Sequence, residues 1–374
     1  MKLNLKRKSK SKKLVKVIRG ECFNCGHPFS GHEKFCPECG QKNKNPKMGD
    51  IKRIAVFTSG GDSPGMNAAI RAVVRACTYY RVDCVGIYRG YQGMIEGDFK
   101  AMDARSVNNI INKGGTILKS ARCDDFRTNE GRKQAYEQLL KAGIDALVVI
   151  GGDGSFTGAM IFNQEYDFPV IGIPGTIDND IFGTTFTLGF DTALNTVVEA
   201  IDKIRDTASS HNRLFFVEVM GRDVGHIALN AGVGAGAEEI LIPEENLGLD
   251  RLLESLKRSK KSGKSSSIVI VAEGDKTGKN VFELKEYVEE HLPIYDVRVS
   301  VLGHMQRGGS PSCYDRVLAS RMGVRAVESL LEGKTNLMVG VQDNKLILTP
   351  IEKAIKGHTK IDKELIRVSE IMTT

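Results

Sequence analysis

One stretch, Ala146–Asp180, constrains the fold of this chain more than any other. Within it, two short apolar runs, Ala146–Ile150 and Val170–Ile173, each pass directly into a loop rich in glycine and aspartate. Short apolar runs bounded by such loops are typical of buried strands in α/β proteins. The stretch therefore predicts two buried strands, each followed by a loop at the strand end, where ligands gather in such folds.

The first loop, Gly151–Ser155, reads GGDGS and opens a predicted helix. Glycines let backbone N–H groups approach a phosphate closely, and a helix N-terminus favours negative charge. Asp153 would repel a phosphate directly, but a carboxylate suits a Mg²⁺ ion that bridges to phosphate. The loop therefore predicts phosphate binding together with a metal ligand.

The second loop, Thr176–Asp180, places two carboxylates two residues apart beside a threonine hydroxyl. In an extended turn, Asp178 and Asp180 can point the same way, so that one takes a proton while the other orients groups or binds metal. Both loops together favour transfer of a phosphoryl group from a nucleotide.

Another glycine-rich loop, Thr58–Gly65, precedes both of these in the chain and lies between a predicted strand and a predicted helix at Asn67–Cys77. Alone it would indicate only a tight turn, but paired with the GGDGS loop it predicts a second phosphate contact. A short helix is predicted over Ser106–Asn112. Strands and helices alternate throughout, which indicates a layered, mostly parallel α/β architecture.

Composition bounds the class of protein. The chain has 374 residues, 41% hydrophobic and 26% charged, as in an ordinary soluble protein of two or three domains. The net charge of +7 is concentrated in the first 16 residues, which are basic and lack a following apolar segment. We therefore expect no secretory signal, no membrane span and a cytoplasmic location.

The N-terminal region is predicted to be separate from the α/β body. Residues 1–20 read as a flexible basic tail, which could also contact a polyanion. Residues 21–41 read as a small zinc-ribbon-like module, and 42–50 as a linker. The module carries two CxxC pairs separated by ten residues, a spacing typical of a structural Zn²⁺ bound by Cys22, Cys25, Cys36 and Cys39. The scattered cysteines Cys77, Cys84, Cys123 and Cys313 are expected to be reduced thiols.

Five motifs together resemble those of the bacterial-type ATP-dependent 6-phosphofructokinases. In chain order they are TSGGDSPGMNAAIR, GGDGS, PGTIDND, VEVMGR and VLGHMQRGGSPSCYDR. They span about residues 51 to 350 and follow one another in the order found in this family. The resemblance implies two three-layer αβα domains with doubly wound, mostly parallel sheets. It implies a larger ATP-binding domain of residues 51–188 with 301–351, and a smaller fructose-6-phosphate-binding domain of residues 189–300 with 352–374.

The resemblance also implies residue roles on the ATP side. The ATP contacts would be Gly61, Arg122, Cys123, Gly152, Asp153, Gly154 and Ser155. Asp178 would be the base and Asp180 would support it, while Asp153 would hold Mg²⁺. The remaining catalytic residues would be Thr176 and Arg222, which position the reacting groups, and Arg122, which offsets developing charge.

On the sugar-phosphate side, the resemblance implies contacts by Thr176, Asp178, Arg213, Met220, Gly221, Arg222, Glu273, Arg298, His304 and Arg307. Arginines with one histidine suit a phosphate monoester, and a glutamate suits sugar hydroxyls. Arg213 and Arg298 would reach in from a neighbouring subunit, which implies a homo-oligomer, a tetramer by this resemblance.

An effector site is also implied, at Arg71, Arg75, Arg205 and Glu238. Bacterial members carry an effector-site arginine directly after an aspartate, whereas this chain has Asp103-Ala104, with Arg105 one place late. Control by ADP or phosphoenolpyruvate therefore stays open.

Other interpretations differ in the phosphoryl donor or in the class of protein. Pyrophosphate-dependent relatives typically read GGDDS and PKTIDND, whereas Gly154 and Gly175 stand here, which favours ATP. The IDND and HMQRGG segments argue against a NAD or lipid kinase. A protein that binds nucleic acid or another partner through residues 1–40 is a third alternative, as an added role or in place of catalysis.

Overall fold

The computed structural model describes residues 20–21, 28–29, 51–211, 213–245, 248–262, 267–357 and 359–372. Two short strands, β1 (Gly20–Glu21) and β2 (Pro28–Phe29), pair antiparallel. The four predicted zinc ligands, Cys22, Cys25, Cys36 and Cys39, and the predicted linker at 42–50 lie outside the described residues. Nearly all of the predicted tail does too.

The α/β body begins with strands and helices in alternation. In chain order these are β3 (Arg53–Thr58), α1 (Met66–Tyr80), β4 (Asp83–Ile87), α2 (Gly90–Glu96), β5 (Phe99–Met102), a 3₁₀ turn (Asp125–Arg127), α3 (Asn129–Lys141), β6 (Ala146–Gly151), α4 (Asp153–Tyr166) and β7 (Val170–Pro174).

The chain then builds a second, smaller sheet. Its elements are α5 (Phe190–His211), β8 (Arg213–Val219), α6 (His226–Ala235), β9 (Glu239–Leu241), α7 (Gly248–Lys261), β10 (Ser267–Ala272), α8 (Val281–His291) and β11 (Asp296–Val301). The four strands are all parallel, in the order β11-β8-β10-β9.

The last part of the chain returns to the first sheet. It forms a 3₁₀ turn (Gly303–Arg307), α9 (Cys313–Leu331), β12 (Leu337–Gln342), β13 (Lys345–Pro350) and α10 (Ile351–Lys356), after which α11 (Lys363–Met372) packs on the small sheet. The resulting large sheet has seven strands in the order β13-β12-β7-β6-β3-β4-β5, and only its edge strands β13 and β5 are antiparallel.

The seven-stranded and the four-stranded sheets are each covered by helices on both faces. In β3, Ile54 and Val56 pack in the cluster with α1 and α9, whereas Ala55 and Phe57 pack with α2, α3, α4 and α10. The small sheet likewise lies between α5, α6 and α11 on one face and α7 and α8 on the other. The predicted fold class, two three-layer αβα units with mostly parallel sheets, is confirmed. The predicted domain boundaries stay predictions.

The helix predicted over Ser106–Asn112 is wrong, because this segment forms turns. The Asp103 carboxylate accepts the backbone N–H groups of Arg105 and Ser106, which offers the backbone a turn instead of a helix. Asn109 is left-handed, with φ of 54°, which no helical residue adopts.

Candidate active site

Three loops come together at the carboxyl edge of the large sheet. Strands β7, β6 and β3 are consecutive neighbours and run parallel, so that the loops that follow them emerge side by side. These loops are Ser59–Gly65, Gly151–Ser155 and Gly175–Asp180. Because ligands of open α/β sheets bind at this edge, the sheet order itself brings the predicted phosphate and carboxylate residues into one site.

The glycines of the GGDGS loop fall into two kinds. At Gly151, a Cβ would lie 2.5 Å from Ser155 Oγ and 2.6 Å from Ser59 O, so packing alone requires glycine there. At Gly154, a Cβ would meet nothing within 4 Å. Gly154 belongs to the first turn of α4, where backbone N–H groups lack intrahelical acceptors. The open space at Gly154 therefore fits a bound anion.

Asp178 is a buried carboxylate, only 7% exposed. The Thr176 hydroxyl donates to its Oδ2 at 3.4 Å, and the Asp178 N–H donates to Thr176 Oγ1 at 3.2 Å. Its Oδ1 is buried and accepts no hydrogen bond within the described part of the chain. Burial and the charge of Asp180 raise the pKa of Asp178 to about 6, although Arg307 opposes the shift. A carboxylate with such a pKa can accept a proton near neutral pH.

Asp153 and Asp180 share the electrostatics of this site. Burial raises the pKa of both carboxyls, and the charge of Asp153 raises the pKa of Asp180 further. Arg222 opposes both shifts. The carboxylates of Asp153, Asp178 and Asp180 and the guanidinium of Arg222 thus face a common space. The three carboxylates come from two loops of the large sheet, and Arg222 comes from a loop of the small sheet.

The residues present fit a Mg²⁺ ion. Asp153 Oδ1 is buried and has no hydrogen-bond partner among the described residues, as expected of an oxygen reserved for a cation. Within the described part of the chain, no group of three or more His, Cys, Asp or Glu residues forms a complete cage for a metal. Mg²⁺ typically takes one or two carboxylates and completes its shell with water and substrate phosphates, so an incomplete protein shell suits it.

The loop that carries Arg122 and Cys123 is attached to the site by two residues that sequence reasoning missed. Asn67 donates to Lys113 O and Gly114 O and accepts from the Ile117 N–H. Thr58 donates to Lys119 O. Cys123 is half-buried, which raises the pKa of its thiol, and Arg122 is exposed. The loop is therefore fixed at its start, while Arg122 stays free to meet a ligand.

The carboxyl end of β8 collects several predicted sugar-phosphate contacts. Gly221, with φ of 152°, and left-handed Arg222 turn the chain here, and the Arg222 N–H donates to Glu273 Oε1 at 2.7 Å. The Met220 N–H donates to Oε1 of Gln306, which is fully buried. Because Gln306 lies in the turn Gly303–Arg307, this bond attaches the turn that carries His304 and Arg307 to the end of β8. Sequence reasoning missed Gln306.

Arg213 and Arg298 do not join this cluster within the chain. Arg213 is the first residue of β8 and pairs in register with Asp296, the first residue of β11. It therefore lies at the amino end of the strand, about 20 Å from Met220. Both arginines bind the Asp296 carboxylate, at 2.8 Å in each case. A single chain thus leaves two of the predicted sugar-phosphate residues at the opposite end of the small sheet.

The predicted effector residues lie as two pairs. Arg71 and Arg75 share α1, on the large sheet, and burial together with the charge of Arg75 lowers the pKa of Arg71. Arg205 and Glu238 lie on the small sheet and form an ion pair of 3.8 Å. Glu238 is buried and also accepts the Ile268 N–H at 2.6 Å, so it has a structural contact of its own.

The fold and site together define a two-lobed α/β protein with glycine-rich anion loops that face a group of carboxylates. Comparison with known proteins narrows this class. The model of the family described as Phosphofructokinase matches residues 53–330. This chain therefore belongs to the phosphofructokinase family.

Curated relatives match along nearly their whole length. The chain is 54% identical over 321 residues to ATP-dependent 6-phosphofructokinase 2 of Bacteroides thetaiotaomicron, which covers 86% of this chain and 98% of that protein. It is 53% identical over 322 residues to ATP-dependent 6-phosphofructokinase 1 of Thermus thermophilus, covering 86% and 99%.

Solved structures share the fold. A phosphofructokinase from Saccharomyces cerevisiae superposes with a TM-score of 0.79 at 39% identity, covering 86% of this chain but only 47% of that longer chain. The pyrophosphate-dependent phosphofructokinase of Marinobacter aquaeolei gives 0.75 at 22% identity, covering 84% and 86%. The phosphofructokinase-type fold is thus confirmed. Within the described ranges, no helix is long and apolar enough to span a membrane.

Proposed function

We propose that this protein transfers the γ-phosphoryl group of ATP to the 1-hydroxyl of fructose 6-phosphate, giving fructose 1,6-bisphosphate and ADP. Curated relatives above 50% identity, named ATP-dependent 6-phosphofructokinases, support the activity. The observation that carries the mechanism is Asp178. It is a buried carboxylate with an unpartnered oxygen among the described residues and a pKa raised to about 6, at the edge where the glycine-rich loops meet.

In this proposal Asp178 takes the proton from the sugar hydroxyl as that oxygen attacks. Asp180 supports it by raising its pKa, since a neighbouring negative charge favours the protonated form. Thr176 donates a hydrogen bond to Asp178 Oδ2 and so holds the carboxyl in one orientation. Most of the acceleration in such transfers comes from positioning and electrostatics, which suits a site built from fixed loops.

The charges on the donor are met by the chain's own groups and one ion. Arg222 and Arg122 would stabilise the transferred phosphoryl group, and the N–H groups at the start of α4 would bind the adjoining phosphates. Held by Asp153, Mg²⁺ would neutralise phosphate charge. Gly61, Gly152, Gly154, Ser155 and Cys123 would complete the ATP site.

ATP is the better donor than pyrophosphate because Gly154 leaves its side of the loop open. An aspartate side chain there would occupy space that the α-phosphate of ATP needs. Gly175 is different, because a Cβ there would lie 3.1 Å from both Ile150 Cγ2 and Met66 Cε. Gly175 therefore has a packing role in addition to any role in donor choice.

The sugar phosphate would be bound by Met220, Gly221, Arg222, Glu273, His304 and Arg307 of one chain. Arg213 and Arg298 would come from another copy, because in their own chain they lie at the other end of the small sheet. A homo-oligomer with shared sites follows, and we propose a tetramer.

Four further proposals rest on the sequence. The two CxxC pairs support a structural Zn²⁺ held by the N-terminal cysteines, and the basic tail permits contact with a polyanion. An effector site at Arg71, Arg75, Arg205 and Glu238 and a cytoplasmic location also stay predictions. Zinc analysis of the purified full-length chain, with and without residues 1–50, would test the metal.

The experiment that tests the activity compares donors. Purified protein is incubated with fructose 6-phosphate, Mg²⁺ and either ATP or pyrophosphate, and fructose 1,6-bisphosphate is measured directly. Turnover with ATP alone is expected. Turnover with pyrophosphate alone would overturn the proposal that ATP is the donor. Absence of product with either donor would overturn the proposed activity.

A further inference from the structure

Asp315, in the first turn of α9, is a fully buried carboxylate. It does not belong to any of the loops described above, but it binds residues 189–192, which come after the loop Gly175–Asp180 in the chain. Its Oδ1 accepts the Gly189 N–H at 2.9 Å, and its Oδ2 accepts the Thr192 N–H at 2.9 Å. The Thr192 hydroxyl also donates to Oδ2. Every contact is charge-assisted and shielded from water, which makes such bonds stronger than neutral ones.

These donors belong to the start of α5. The first N–H groups of a helix have no intrahelical partner and are usually capped by the side chain just before the helix. That position is Gly189, which has no side chain to offer. A Cβ at Gly189 would lie 2.7 Å from Ser63 Cβ and 3.0 Å from Pro64 Cδ, so the loop Ser59–Gly65 keeps it glycine. Asp315 therefore caps α5 from another helix.

The start of α9 is fixed against the start of α5 as well. The Ser312 N–H donates to Thr192 Oγ1 at 2.9 Å, and the Ser312 hydroxyl binds Asp191 Oδ2. The Asp315 N–H in turn donates to Ser312 Oγ. The starts of α5 and α9 thus hold each other through side chains. The turn with Gln306 and Arg307 lies just before α9 in the chain.

The contact between the starts of α5 and α9 is joined by short hydrogen bonds to the loop Gly175–Asp180, which we call the carboxylate loop. Thr187 Oγ1 donates to Thr176 O at 2.6 Å, and the Thr187 N–H donates to Asn179 Oδ1 at 2.9 Å. Thr187 lies two residues before Gly189. A shift of Gly189 would therefore move the backbone beside Asp178 relative to the loop Ser59–Gly65, against which Gly189 packs.

We propose that Asp315 is a positioning residue for phosphoryl transfer, which fixes the carboxylate loop against the loop Ser59–Gly65. This inference rests on the proposed function. Asp315 touches neither substrate in this account, so its loss should leave binding contacts in place while it misaligns the reacting groups. A displacement near 1 Å is enough to slow such a reaction by up to about a hundredfold.

The test uses Asp315→Asn, which keeps the size of the side chain but presents an amide N–H₂ to one of the backbone donors. The matched control is Asp145→Asn. Asp145 also accepts two backbone N–H groups, from Lys52 and Arg53 at 2.8 Å each, but at the amino end of β3, away from the site. Kinetic constants and melting temperature are measured for the full-length variants, and hydrogen exchange for residues 175–189.

For Asp315→Asn we expect kcat to fall on the order of tenfold to a hundredfold. The KM values for ATP and fructose 6-phosphate should change by no more than about threefold, and exchange in 175–189 should become faster. Asp145→Asn should lower the melting temperature but leave kcat and this exchange unchanged. A merely structural role for Asp315 would give the same result as the control.

Wild-type kcat in folded Asp315→Asn, or unaltered exchange in 175–189, overturns the proposal. If Asp315→Asn does not fold, Thr192→Val replaces it, since it removes the hydroxyl that joins Asp315 to Ser312, and wild-type kcat there overturns the proposal equally. A wild-type protein without turnover would instead overturn the proposed function, and hydrogen exchange would still decide the positioning role.

Discussion

The guanidinium of Arg307 lies directly against Gly61. A Cβ at Gly61 would meet Arg307 Nη1 at 2.6 Å, and Nη1 lies 3.4 Å from the carbonyl oxygen of Asp62. Gly61 belongs to the predicted ATP side and Arg307 to the predicted sugar-phosphate side. The two halves of the site are thus in contact through a side chain whose charge also lowers the pKa of Asp178.

Gly61→Ala should therefore impair the use of both substrates. Gly61 is not in the left-handed region, so its backbone tolerates alanine, but the new methyl group would displace Arg307. We expect kcat/KM for ATP and for fructose 6-phosphate each to fall at least about tenfold. Gly234→Ala is the control, because its Cβ would meet Val198 Cγ2 at an ordinary 3.7 Å. A fall in kcat/KM for ATP alone would contradict the claim that the contact between Gly61 and Arg307 links the two substrate sites.

The pH dependence should report Asp178. A base must be deprotonated to act, so activity should be lost as pH falls through the raised pKa of about 6. Asp180→Asn should move this acidic limb to lower pH, because it removes a neighbouring charge that raises the pKa of Asp178. Profiles of kcat/KM between about pH 5 and 8.5 check this. A limb that stays in place in Asp180→Asn would argue against coupling of the two carboxyls.

Gly154 should control the donor more than the fold. Because a Cβ there meets open space, Gly154→Ala and Gly154→Asp should both fold with melting temperatures near that of wild type. Gly154→Asp should lower kcat/KM for ATP by about a hundredfold or more, since it brings a negative charge and bulk to the phosphate site. Gly154→Ala should have a smaller effect. Equal losses in both variants would indicate a backbone effect.

Mixed oligomers should reveal whether sites are shared. Arg298→Ala and Asp178→Asn should each be nearly inactive alone. When the two are co-expressed, a chain with Asp178 can receive Arg298 from its neighbour, so activity should reappear in the mixed species. Recovery to well above the sum of the separate variants is expected, and no recovery would mean that Arg298 acts within its own chain or not at all.

The sequence was most informative where the chemistry is contiguous. The loops Gly151–Ser155 and Thr176–Asp180 were predicted because glycines, carboxylates and flanking strands lie together in the chain, and the strand order then placed them side by side. The resemblance to phosphofructokinases supplied the rest of the predicted site. Local patterns of this kind need no knowledge of distant contacts.

The residues that were missed act across long sequence separations. Asn67 holds backbone groups 46 to 50 residues away, Gln306 binds Met220 across 86 residues, and Asp315 caps a helix 123 residues earlier. Each is a polar residue that looks ordinary in its own segment. The common ion pair of Arg213 and Arg298 with Asp296 likewise depends on the parallel pairing of β8 with β11, which periodicity does not give.

In the proposed mechanism, Asp178 is the base of an ATP-dependent phosphorylation of fructose 6-phosphate. The most direct test is single-turnover formation of fructose 1,6-bisphosphate by wild type and Asp178→Asn at saturating Mg-ATP. We predict a rate lowered by about 10²- to 10⁴-fold in Asp178→Asn. Its melting temperature should be equal to or higher than that of wild type, since a buried charge is removed. A folded Asp178→Asn protein with a wild-type rate would contradict the account.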